Sequence, residues 1–147
     1  MLISDVLRGK ASPMVSLSAN APVSALLALM KARGVGAVLI LDHRDRYLGS
    51  VSERDIVVGL ADAGTSFLGR TARQIMTADG PSTTSPSRAV EAMQTMTERR
   101  VRHLPVIDHD MVVGIVSLGD IIRSQLAEKI EENTVLQALA RAHLAAA

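Results

Sequence analysis

Residues 47–57 and 112–122 say nearly the same thing. The first stretch reads Tyr47-Leu-Gly-Ser-Val-Ser-Glu-Arg-Asp-Ile-Val57 and the second Val112-Val-Gly-Ile-Val-Ser-Leu-Gly-Asp-Ile-Ile122. Both fit hydrophobic, hydrophobic, Gly, x, Val, Ser, x, x, Asp, Ile, hydrophobic. A repeat of this size constrains the fold to two similar units stacked together, with the cleft between them as a natural ligand site.

The residues around each copy extend the repeat. In the first half, Ile3 to Leu7 read as a short helix that Ser12 and Pro13 end, and Met14 to Leu17 as an extended piece. Val23, Leu26, Leu27 and Met30 recur at helical spacing, so a helix is expected over Pro22–Arg33, ended by Gly34. Ala37–Leu41 is a short apolar run typical of a buried strand, and Tyr47–Val51 is its hairpin partner. Ser52 then opens a helix to about Ala63. The second half repeats this order: a lead helix over Thr71–Met76, a weak strand at Ser82–Thr84, a helix carrying Ala89, Ala92, Met93 and Met96, a hairpin of Leu104–Ile107 with Met111–Val116, and a helix opened by Ser117. The expected fold class is α/β, two tandem β-α-β-β-α repeats related by pseudo-twofold symmetry, plus a C-terminal helix. The expected units are 1–68, 69–125 and a helical tail 126–147. Ile130, Val135, Leu136 and Leu139 give that tail an irregular apolar face, expected to pack on the module or on a second subunit.

Composition narrows the function. Of 147 residues, 48% are hydrophobic, enough for a sizeable core, yet the only aromatics are Tyr47 and Phe67. Binding of single-stranded nucleic acid leans on aromatic stacking, and a formal net charge of +1 without a dense basic run gives no electrostatic case for DNA or RNA. The absence of cysteine removes disulfides, Cys–Zn sites and thiol nucleophiles. No signal peptide is visible and no apolar run reaches membrane-spanning length, so a cytoplasmic protein without a membrane partner is expected.

Ser52-Glu-Arg-Asp55 and Ser117-Leu-Gly-Asp120 have two readings. Each fits a helix start, in which Ser caps free amides and an acid three residues on completes a capping box. The same geometry also binds ligands: free amides and a hydroxyl at a helix N-terminus receive phosphate, and an acid one turn in accepts bonds from ribose hydroxyls. Two copies in a symmetric frame favour the second reading, because capping alone does not require Gly-x-Val-Ser-x-x-Asp twice.

These repeated motifs, with Arg99-Arg-Val-Arg-His-Leu-Pro-Val-Ile-Asp108 and the matching Arg33-Gly-Val-Gly-Ala-Val-Leu-Ile-Leu-Asp42, resemble the CBS domain. The resemblance covers roughly residues 1–125 and is similar to the small stand-alone bacterial CBS-pair proteins. It implies a regulatory, non-catalytic module, often dimerising into a flat disc, with AMP, ADP, ATP, NAD(H) or S-adenosylmethionine as ligands in the inter-repeat clefts, and an unidentified protein partner that reads the bound state. Carried over by position, Asp55 and Asp120 would bind ribose hydroxyls, and Ser52 and Ser117 would face phosphate. Arg54, Arg102 and His103 would be phosphate ligands. Backbone groups at Ala37 and His103 would hold adenine, and Ser16 and Ser82 are weaker candidates. The first-half counterparts of Arg102 and His103 are Gly36 and Ala37, which carry no charge, so the two clefts are expected to bind unequally.

His43 and His109 fall in matching hairpin turns and His143 in the tail, and no histidine pair has helical metal spacing, so neither a metal nor a required cofactor is expected. No nucleophile elbow, Walker loop or full dinucleotide fingerprint is present, which speaks against catalysis. The rival to a nucleotide sensor is a dimeric interaction scaffold that uses the C-terminal helix.

Overall fold

The computed structural model describes residues 1–10 and 14–146, so the expected turn at Ser12 and Pro13 lies outside the described residues. The first half consists of α1 (Ile3–Arg8), β1 (Ser16–Ser18), α2 (Val23–Arg33), β2 (Ala37–Leu41), β3 (Tyr47–Ser52) and α3 (Glu53–Ala63). A 3₁₀ turn over Gly64–Gly69 leads to α4 (Ala72–Ile75), α5 (Ala89–Arg99), β4 (His103–Asp108), β5 (Met111–Ser117) and α6 (Leu118–Ala146).

β1 pairs parallel to β2, which pairs antiparallel to β3, while β4 and β5 form a separate antiparallel hairpin. All five residues of β2 are buried, as a continuous Ala-Val-Leu-Ile-Leu run predicts. The hairpins repeat even their irregularity: register shifts at Ile40/Leu41 and again at Val106/Ile107. Their registers set Ser52 opposite Ala37 and Ser117 opposite His103. Each strand therefore delivers its serine beside the first residue of its partner strand, at the mouth of the following helix.

One sequence expectation changes and another narrows. Ser82–Thr84 is not a strand among the described residues. Thr83 makes a single parallel bridge to Val106, donating to the Pro105 carbonyl and accepting from the Ile107 amide. Of the two surfaces expected to receive the tail, the module does not. Leu126, Ile130, Val135, Leu136, Leu139 and Leu144 are all exposed, and α6 runs unbroken from Leu118 past position 125 to Ala146.

The core is divided by repeat, but the lead helices cross over. Ile3 and Val6 of α1 are buried with Ala92, Met96, Leu104 and Ile121 of the second half. Ala72 of α4 is buried with Val23, Leu26, Ile40 and Ile56 of the first half. Backbone bonds fasten the exchange, from the Ile3 amide to the Ser87 carbonyl and from the Ala72 amide to the Ala21 carbonyl. A third cluster, Ala37, Leu39, Leu41 and Ile115, closes the seam between the hairpins.

The segment after α4 continues along β3 of the half it docks on. The Thr77 amide donates to the Ser50 carbonyl at 2.9 Å, and the Ser50 amide donates back at 3.2 Å. Gly49 permits this approach. A Cβ there would lie 2.8 Å from the Thr77 carbonyl oxygen, inside the closest distance real Cβ atoms tolerate. The motif glycine thus admits a neighbouring piece of the chain to the strand.

Candidate functional site

Both Ser–Asp pairs form helix caps. The Ser52 amide and hydroxyl donate to Asp55 Oδ2 at 2.8 and 3.0 Å, and the Asp55 amide donates to the Ser52 hydroxyl at 3.3 Å. In the second copy the Ser117 amide donates to Asp120 Oδ2 at 2.9 Å and the Asp120 amide to the Ser117 hydroxyl at 3.0 Å. Capping leaves ligand capacity at one copy: among the described residues Asp55 Oδ1 accepts no hydrogen bond and no cation pairs with Asp55.

Asp55 faces a cavity of about 590 Å³, within the range of small-molecule sites. It is built from both halves. Ser52, Arg54 and Asp55 come from the first, and Arg99, Arg100, Arg102 and His103 from the second. Ala37, Thr77 and Gly80 complete the floor. Of the residues singled out by sequence, Ala37, Ser52, Arg54, Asp55, Arg102 and His103 are therefore brought together. Ser117 lines a smaller adjoining cavity of about 140 Å³ that shares Gly36, Ala37, His103 and Ile115 with the first, and Asp120 lines neither. Ser16 lies in a third, beside Asp42, His43 and Arg73. Ser82 is exposed and lines none of these three.

The wall of the large cavity carries four arginines against two carboxylates, Glu53 and Asp55. Arginine presents a planar fork of donors suited to phosphate oxygens. His103 adds polarity without full charge at neutral pH. Burial, then the Lys10 ammonium, hold its pKa below the ordinary imidazole value, against the pull of Asp120 and Glu53. Arg99, Arg100 and Thr77 are site residues that the repeat did not single out. The first two sit in the quoted Arg99–Asp108 motif, and their charge was the available signal. Thr77 reaches the site only through the crossed lead segment.

Asp120 is placed differently. Lys10, on the segment after α1, extends its ammonium to Asp120 Oδ2 at 3.0 Å and to the Ile115 carbonyl at 2.9 Å. The two side chains are 19% and 12% exposed, so the pair is largely shielded from water. Arg123 Nη1 approaches the other oxygen at 3.4 Å. Burial tends to raise the Asp120 pKa, but the Ser117 amide and the Lys10 ammonium outweigh it, and the carboxyl lies below the usual aspartate value.

His43, His109 and His143 are exposed, and among the described residues no group of three or more metal-ligating side chains converges. No helix among them is long and apolar enough to cross a membrane.

The family model of the CBS domain matches residues 3–62 and 72–127. Among curated proteins, a mitochondrial CBS domain-containing protein of Arabidopsis thaliana, CBSX3, is 32% identical over 107 residues, 70% of this chain and 52% of the relative. The chain thus spans about half the length of that relative. Among solved structures, a CBS-domain containing protein from Agrobacterium tumefaciens superposes with a TM-score of 0.80 at 27% identity, covering 84% of this chain and 92% of its own. A CBS domain protein from Pyrobaculum aerophilum, solved in complex with AMP, shares the fold at a TM-score of 0.72 and 24% identity, over 82% and 89% of the two chains.

Proposed function

This chain belongs to the CBS domain family, and from that premise we propose that it is a non-catalytic regulatory module that binds an adenosine nucleotide at the Asp55 cavity. The observation that carries the reading is the convergence of a carboxylate with a free oxygen and an arginine-rich wall across one cavity of about 590 Å³. Asp55 accepts the ribose hydroxyls. The α3 N-terminus with Arg54, and Arg99, Arg100 and Arg102 from the opposite repeat, receive the phosphate. The fold neighbour complexed with AMP supports the ligand class.

Signalling follows from where the ligand sits. A nucleotide that touches both repeats favours the relative orientation in which both sets of contacts are made, and a partner that reads this orientation senses occupancy. Binding to the folded state also raises its stability by mass action. Isothermal titration of ligand-stripped protein with AMP is expected to give saturable heat and a raised melting temperature, both lost in Asp55→Ala. Heat unchanged in Asp55→Ala would refute the site.

A second reading, a scaffold docking through α6, draws on the exposed Leu126, Ile130, Leu136 and Leu139. Truncation after Gln125 separates the two: it removes assembly or partner binding and leaves AMP binding intact.

A further inference from the structure

The two clefts of this chain are chemically unequal, and the cause lies in the exchanged lead segments. In the first half, the strand carbonyl of Ser50 is satisfied by a backbone amide, that of Thr77. This leaves the Asp55 carboxylate open to the cavity. In the second half the corresponding strand carbonyl, that of Ile115, is satisfied by the side-chain ammonium of Lys10, which also holds Asp120. One cation thus takes both the strand carbonyl and the acid. We propose that Lys10 is a built-in occupant of the second cleft, so that this chain takes one nucleotide and not two. The inference rests on the nucleotide reading of the Asp55 cavity for the identity of the ligand, but neither Lys10 nor Asp120 lines that cavity.

The space agrees with the contacts. With Lys10 in place the second cleft holds about 140 Å³, below the range of small-molecule sites, which begins at about 300 Å³. Lys10 itself forms part of its wall, together with Gly34, Gly36, His103 and Ser117. No arginine lines it among the described residues, in contrast to the four around Asp55. Removing the Lys10 side chain takes the ammonium off Asp120 Oδ2, which can then accept a ribose hydroxyl, and enlarges the space beside it, but brings no arginine to a phosphate among the described residues. The cleft that opens is therefore suited to a nucleoside without phosphate.

The experiment counts bound adenosine per chain by equilibrium dialysis in the wild type and in Lys10→Ala. The expected result is one in the wild type and two in Lys10→Ala. One site in both, or two in the wild type, overturns the proposal and leaves the Asp55 reading standing. No site in the wild type with one in Lys10→Ala overturns the Asp55 reading and supports Lys10 as the occupant. A ligand-free measurement on the wild type guards against a variant that does not fold. The chain has three lysines, Lys10, Lys31 and Lys129, and the latter two are exposed. Acetylation by an N-hydroxysuccinimide ester, followed by mass spectrometry, is expected to modify Lys10 at least ten-fold more slowly than the other two. Equal rates overturn the proposal, because a lysine free to react does not occupy the cleft.

Discussion

Replacing Arg100 by glycine is expected to stabilise the fold and weaken nucleotide binding together. Helices α2 and α5 end in the same left-handed cap, but with different residues. Gly34 takes φ 63° and ψ 37°, with its amide on the Met30 carbonyl. Arg100 takes φ 54° and ψ 39°, with its amide on the Met96 and Thr97 carbonyls. A left-handed conformation costs an L-residue about 1–2 kcal/mol, and glycine escapes this. Glycine also gives the unfolded chain more freedom, which offsets about 0.4–1 kcal/mol. The net gain for Arg100→Gly is about 0.5–1 kcal/mol, a rise in Tm of about 1–4 °C for a chain of this size. Arg100→Ala is the control. It removes the same guanidinium but keeps the left-handed cost, so its Tm is expected to fall below that of Arg100→Gly. Calorimetric scans without ligand read the strain, and titration with AMP reads the charge. Both variants lose one guanidinium from the cavity wall, and both are expected to bind AMP about ten-fold more weakly, the weight of one charge-assisted hydrogen bond discounted for exposure. Equal Tm values for the two variants would refute the strain. AMP affinity unchanged in both would refute the link between the strained cap and the ligand.

Two further outcomes follow from the packing and from the buried pair. A Cβ at Gly59 would sit 2.1 Å from Cε2 and 2.3 Å from Cζ of the Phe67 ring, which is 2% exposed. Overpacking of about 1–3 kcal/mol exceeds the roughly 1 kcal/mol that alanine gains over glycine in a helix, so Gly59→Ala is expected to lower Tm, and a higher Tm would show that the ring moves freely. The Asp120 pKa lies below its usual value, so its ionised form stabilises the fold above the unfolded aspartate pKa, and that contribution is lost as pH falls through the folded value. The Tm difference between wild type and Asp120→Asn is therefore expected to stay constant from about pH 8 to pH 5 and to shrink below about pH 4; a difference that grows with acid contradicts the sign.

The halves were legible because their local rules agree. Gly34 ends α2 as its sequence position predicts, β2 is buried along its whole length, and Ser52 and Ser117 cap α3 and α6. The weak strand failed because its backbone groups meet β4 at Thr83 alone. The tail is a helix as expected, but its apolar residues do not share one narrow stripe, and no surface of the module meets them. The site was legible by residue type and less so by placement. Periodicity assigns a helix to α1 and α4 without saying which half each will cover, and the pairing of Lys10 with Asp120 depends on that choice.

The crossing of the lead segments also explains how a symmetric scaffold arrives at unequal sites. The large cleft combines an acid from one repeat with the helix–strand junction of the other, and the small one sets Ser117 of the second repeat against the junction of the first. Asp55 shares its cavity with Arg99, Arg100 and Arg102, while the cavity at Lys10 and Ser117 is lined by Gly34, Val35 and Gly36. A change at one junction therefore alters the cleft of the opposite repeat and leaves its own acid untouched. The lead segments act in the same crossed manner: Thr77 closes a strand edge beside Asp55 with its backbone, and Lys10 does so beside Asp120 with a charge. Conserving Ser and Asp in both motifs keeps both helix caps, which the fold needs. Arg99, Arg100 and Arg102, which reach the Asp55 cavity from the other half, take no part in either Ser–Asp cap.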